Sequence, residues 1–151
     1  LAELLREIVP NKRSLAELRS GNLRALIENS LDYQLRRTLD AEAPETIRVP
    51  TGNAIRLAYL KPEEPPVLVV RLQEMFGATQ TPRIARNRVP VLLHLVAPNF
   101  RPVQITNDLA SFWKSAYFEV RKDLRARYPK HSWPDDPLTA IPQAKGRPRG
   151  R

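Results

Sequence analysis

The sequence predicts an α+β fold, on three observations. Apolar residues recur at helical spacing through residues 1–45, alternate at strand spacing in two stretches between Ile47 and Ile105, and return to a long helical stripe after Thr106. The expected order is a helical N-terminal part, then a small hairpin-based sheet with covering helices, then a long basic C-terminal helix. In domain terms this gives a helical segment at 1–45, an α+β domain at 46–139 and a disordered basic tail at 140–151.

Leu1, Leu4, Leu5 and Ile8 fall on one helical face, and Pro10 ends the run. Ser14 and Glu17 form a capping-box pair ahead of Leu15 and Leu18, and Gly21 closes that short helix. Leu23, Leu26, Ile27, Leu31, Leu35 and Leu39 continue a helical stripe to Pro44, as one helix or as two with a break near Ser30. The chain opens on Leu1 inside a helical pattern, so it reads as a piece of a longer protein.

The period then changes. Ile47 and Val49 alternate with polar residues, as do Ile55, Leu57 and Tyr59, on either side of Thr51-Gly52-Asn53, which predicts a hairpin. Val67 to Val70 has strand composition, yet Leu68, Leu72, Met75 and Phe76 fit helical spacing. With acidic and proline residues before the run and Gly77 after it, we assign 67–76 to a helix. Val91 to Val96 reads as a strand buried on both faces, and Val103 with Ile105 as its return. Two hairpins are compatible with several sheet arrangements, a partly open barrel among them.

Thr106 or Asn107 is the expected cap of the last helix. Leu109, Phe112, Trp113, Ala116, Val120, Leu124 and Tyr128 form its inward stripe, with Lys114, Arg121 and Arg125 opposite, and Pro129 ends it. Beyond Trp133 little remains to bury, and such composition does not offset the entropy of ordering, which places the tail start near Ala140.

Composition narrows the function classes. Fifteen prolines against five glycines imply short elements with stiff connections, and the absence of cysteine excludes disulfides and thiolate metal sites and fits a reducing, cytoplasmic compartment. No apolar run is long enough to span a bilayer, so no membrane partner is expected. The net charge of +9 is unevenly placed. Residues 1–50 are neutral, whereas residues 101–151 carry eleven Lys/Arg against five Asp/Glu, a polarity that attracts polyanions. No assembled catalytic set is present. The glycines (21, 52, 77, 146 and 150) do not space a phosphate-cradling loop, and His94 and His131 lack the company of metal ligands. His94 fits a hydrogen-bonded core histidine, and Asp135 with Asp136 fits salt bridging or solvation better than acid–base work.

Several ordered blocks resemble one family. They are Pro66-Val67-Leu68-Val69-Val70-Arg71-Leu72-Gln73-Glu74-Met75-Phe76-Gly77, Arg88-Val89-Pro90-Val91-Leu92-Leu93, Arg101-Pro102-Val103-Gln104-Ile105-Thr106, Asp108 to Lys114, and Arg127 to Pro137. In this order they resemble the C-terminal region of the HrpB family of bacterial ATP-dependent DExH-box helicases. The resemblance implies a parent protein that uses ATP and Mg in two upstream RecA-like domains, which would be partners of this segment. It carries no catalytic residue or cofactor into this chain, whose P-loop and DExH box are absent.

The expected function is thus a non-catalytic accessory module that binds RNA or single-stranded nucleic acid. The candidate contacts are Lys114, Arg121, Lys122, Arg125 and Lys130 near the last helix, and Lys145, Arg147, Arg149 and Arg151 in the tail. Trp113, Tyr117, Tyr128 and Trp133 lie among them. Trp113 and Tyr128 fall on the inward stripe and suit the core, Trp133 suits an anchor for the following chain, and Tyr117 is open. The competing reading is a structural or protein-interaction module that braces the helicase domains, with the cations as a solvated face.

Overall fold

A computed structural model describes residues 23–144. The helices expected in 1–8 and 14–20, and the tail cations Lys145, Arg147, Arg149 and Arg151, lie outside the described residues. The chain divides into two compact units between Ala41 and Glu42, and each is described by itself.

In the first unit the helical stripe is two helices, α1 (Leu23–Ser30) and the start of α2 (Tyr33–Glu42). The break falls at Ser30, whose hydroxyl donates back to the Ile27 carbonyl at 2.7 Å. Asp32 then caps α2, accepting from the Leu35 amide at 2.7 Å.

The second unit opens with a hairpin of β1 (Thr46–Arg48) and β2 (Ala54–Arg56), with Ile47 opposite Ile55. Gly52 takes the left-handed φ of 86° that the turn requires. The turn is tied inward by the buried Glu74 carboxylate, which accepts from Asn53 Nδ2 at 2.7 Å and Thr51 Oγ1 at 3.1 Å.

The main sheet has three strands, β3 (Val67–Arg71), β6 (Leu92–Val96) and β7 (Pro102–Thr106), in the order β3-β6-β7. A two-residue pair, β4 (Arg83–Ile84) with β5 (Val89–Pro90), precedes β6. The helix expected at 67–76 is therefore a strand followed by a 3₁₀ turn at Leu72–Met75. Three β-branched valines prefer the pleated surface, and β6 supplies a parallel partner for the whole of Val67–Arg71. The misleading helical spacing arises because Leu72 to Met75 are buried on every side of the tight turn. The β6–β7 hairpin is as expected, with a bulge between Leu95 and Val96. On β6, Leu93 and Leu95 point into the core, while Leu92 and His94 are only half-buried.

The final helix is also two. Asp108, not Thr106 or Asn107, caps α3 (Leu109–Lys114) by accepting from the Ser111 amide at 2.9 Å. Ser115 then leaves helical geometry at φ −121° and ψ −76°, and α4 (Ala116–Arg127) follows. The Ser115 amide and hydroxyl both donate to the Ser111 carbonyl, at 3.1 and 2.8 Å, which ends α3. This bend lets Trp113 and Tyr117 both enter the core. They meet Phe76 and Phe112 there, with ring centroids 5.0–6.3 Å apart, over Leu68, Val70, Leu93, Leu95 and Leu109.

Residues 140–144 are not free as expected. The stretch after Trp133 crosses the 3₁₀ turn, where Gly77 N–H donates to the Pro137 carbonyl and Gln143 N–H to the Gln73 carbonyl, both at 2.9 Å. Arg71 reaches the Ala144 carbonyl at 2.8 Å. Backbone hydrogen bonds, which composition does not reveal, hold this stretch. Among the described residues no helix is long and apolar enough to cross a membrane.

Candidate nucleic-acid interface

The inward stripe of α4 is Tyr117, Val120, Leu124 and the C-cap Tyr128, spaced to face the sheet and α3. The same 3.6-residue geometry splits the outer surface into two flanks. Phe118, Lys122 and Arg125, at i, i+4 and i+7, are exposed along one flank. Glu119, Asp123 and Arg127 occupy the other, where Arg127 Nε pairs with Asp123 at 3.1 Å. The acidic residues of α4 are thus kept off the Phe118 side.

Lys114, in the last turn of α3, meets that first flank at its N-terminal end. It shares with Phe118 an open groove of about 350 Å³. Lys130 is exposed in the turn beyond Pro129. The side chains of Lys114, Lys122, Arg125 and Lys130 have no hydrogen-bond or ion-pair partner among the described residues, and neither does that of Arg101. Elsewhere the described cations of the second unit are engaged. Arg56 faces Glu45 at 3.9 Å, Lys61 pairs with Glu64 at 2.5 Å, and Arg86 and Arg88 both meet Glu42 at 2.6 Å. Arg48, Arg71 and Arg83 donate to backbone carbonyls.

Arg121 is set apart from the others. Its Nε donates to the Trp133 carbonyl at 2.9 Å, its guanidinium pairs with Asp135, and only 18% of its side chain is exposed. The sequence spacing had placed it beside Lys114 and Arg125 on one face. The break at Ser115 resets the register of Lys114, and the azimuth of Arg121 turns it toward the Trp133 segment.

The aromatic residues divide similarly. Trp113, Tyr117 and Trp133 are buried, and Tyr128 is half-buried against the core. Tyr117 donates its hydroxyl to the Pro134 carbonyl at 2.8 Å, and burial raises its phenol pKa above the ordinary range. Trp133 pins its segment through Nε1 to the Tyr128 carbonyl at 2.9 Å. On α4 the exposed ring is Phe118, at 49%, which sequence reasoning passed over. Its signal was its place off the inward stripe, one residue after Tyr117.

The remaining polar candidates do not assemble a reactive site. His94 stands on the outer sheet face between Val69 and Ile105, its imidazole without a hydrogen-bond partner among the described residues, so it is not the bonded core histidine expected. His131 packs edge-on to Tyr128 at 6.2 Å. Asp136 accepts from the Leu138 amide and the Thr139 hydroxyl, both at 2.9 Å, and these bonds lower its pKa. Among the described residues no three His, Asp or Glu converge as metal ligands. Their two glycines, Gly52 and Gly77, lie in separate turns, and neither opens a helix.

Comparison with known proteins places this architecture. A family model described as ATP-dependent helicase C-terminal matches residues 4–137. The ATP-dependent RNA helicase HrpB of Escherichia coli (strain K12) is 47% identical over 129 residues, covering 85% of this chain and 16% of the relative. A crystal structure of the E. coli DExH-box NTPase HrpB superposes with a TM-score of 0.80 at 46% identity, over 88% of this chain and 16% of that one. A second, of the E. coli DEAH/RHA helicase HrpB, gives 0.65 at 43% identity, over 88% and 17%. The chain therefore spans about a sixth of the length of these relatives. Matched along most of its length by both sequence and fold, it belongs to the HrpB C-terminal family of ATP-dependent helicases.

Proposed function

We propose that this chain is a non-catalytic module that holds RNA or single-stranded nucleic acid for an ATP-dependent helicase motor of which it forms part. The observation that carries the reading is the unpartnered set Lys114, Lys122, Arg125 and Lys130, in a unit whose other described cations are mostly engaged. Cations without local partners release counterions when they meet phosphates, which drives sequence-independent binding. Arg121 holds the Trp133 segment in place, and the remaining contacts come from Lys145, Arg147, Arg149 and Arg151. The nucleotide chemistry, with ATP and Mg, belongs to the upstream domains, and the module works in the cytoplasm.

The test is fluorescence anisotropy with labelled single-stranded RNA across a salt series, comparing residues 1–151 with 1–144. Removing the four tail cations is expected to flatten the slope of log affinity against log salt by about 3, at roughly 0.7 per phosphate. Equal slopes would remove the tail from the interface.

One observation favours a second reading, a bracing module. Val69 and Ile105 are 47% and 54% exposed in one row with His94 across the outer sheet face. In that case the chain binds the helicase domains in trans and ignores RNA at low salt.

A further inference from the structure

Phe118 is an exposed ring in a setting that explains how it is held. On one side Tyr117 packs against it nearly edge-on, with centroids 5.7 Å apart, and Tyr117 is itself fixed by the aromatic core and by Pro134. On the other side lies the groove of about 350 Å³, with Trp113 and Pro137 buried at its base and Leu138 exposed at its rim. That volume is at the small end of clefts that hold compact ligands, about 300–1,000 Å³. A planar ring fits within that volume.

The charges around the groove are sorted. At one end stand Asp135 and Asp136, the first paired with Arg121, the second turned onto Leu138 and Thr139. Lys114 also lines the groove, while Lys122 and Arg125 follow Phe118 outside it along the same flank of α4, and the side chains of all three are unpartnered among the described residues. A phosphate is repelled from the acidic end and drawn to the basic flank, whereas a neutral base is tolerated in the groove. We infer that Phe118 is a stacking platform for one base of a single-stranded nucleic acid whose phosphates run along Lys114, Lys122 and Arg125. This rests on the nucleic-acid reading and assigns it a non-ionic component. A duplex, with its bases already stacked, cannot use the platform.

The experiment measures anisotropy of the full 151-residue chain with a labelled single-stranded RNA and with a duplex of the same length. Phe118→Ala is expected to weaken single-strand binding on the order of five- to tenfold, with an unchanged salt slope and unchanged duplex binding. Phe118→Trp should restore the affinity. Phe118→Leu keeps apolar bulk without a ring and should resemble alanine, which guards against a general loss of folding, checked by melting temperature. A wild-type chain that binds with a steep salt slope, alongside an equally tight alanine variant, would overturn the platform and leave the cationic interface standing. A wild-type chain that binds no RNA defeats both. Weakened affinity of Phe118→Ala for the helicase domains in trans, with RNA binding intact, would show the groove to be a protein contact and overturn the inference.

Discussion

Replacing Arg121 with methionine separates a scaffold role from a phosphate contact. The substitution keeps the aliphatic stem and removes every donor. The bond it removes, from Nε to the Trp133 carbonyl at 2.9 Å, is charge-assisted and sits on a side chain only 18% exposed. Bonds of this kind contribute about 1.5–3 kcal/mol. The ion pair to Asp135 adds no more than about 1 kcal/mol, because that carboxylate is 93% exposed and screened by solvent. Together the cost is about 1.5–4 kcal/mol, which in a chain of this size lowers Tm by roughly 3–16 °C. Lys122→Met, on the open flank, should stay within about 0.5 kcal/mol of wild type. The salt slope of RNA binding should behave in the opposite way. It is unchanged in Arg121→Met and flatter by about 0.7 in Lys122→Met. Thermal melts and anisotropy on the same two proteins measure both quantities. The reasoning fails if Arg121→Met melts with wild type and flattens the slope as Lys122→Met does.

Two further outcomes follow from buried polar groups. Burial raises the Tyr117 phenol pKa, so the unfolded chain ionises first, near pH 10, and the folded protein later. The stabilisation is therefore complete below about pH 10 and declines as pH rises from there toward the folded pKa. Urea midpoints measured from about pH 8 to 11 should fall less steeply for Tyr117→Phe, which also loses about 1 kcal/mol at neutral pH with its bond to Pro134. Parallel profiles would contradict the burial argument. Asn53→Ala removes a 2.7 Å bond to the buried Glu74 carboxylate and should cost about 1–3 kcal/mol by urea titration. A neutral result would mean that Glu74 is satisfied without the hairpin turn.

Much of the fold is legible where local signals and burial agree. The Thr51-Gly52-Asn53 hairpin, the β6–β7 return and the inward stripe of Trp113, Val120 and Leu124 all follow from spacing and turn chemistry, whereas spacing left open whether the stripe before Pro44 breaks near Ser30. The misreadings have two physical sources. Val67 to Arg71 becomes a strand because a parallel partner some 25 residues away completes its hydrogen bonds, and no local pattern announces such a partner. Residues 140–144 are held by the Gln143 backbone bond to the 3₁₀ turn and by the Arg71 side chain, both invisible to a composition argument. At the candidate interface, charge polarity leads to the last third of the chain. It does not distinguish Arg121, committed to Trp133, from Lys122 one residue later. Nor does it find Phe118, since an exposed phenylalanine and a core one look alike until the helix is rotated into place.

The most direct measurement is the salt dependence of single-stranded RNA affinity for wild type and for Lys114→Gln, Lys122→Gln, Arg125→Gln and Lys130→Gln combined. If these four cations meet phosphates as proposed, neutralising them should flatten the log–log slope by about 3 while leaving Tm within a few degrees, since none of the four side chains has a partner among the described residues. An unaltered slope, or a wild-type chain that leaves the RNA free at low salt, would contradict the account.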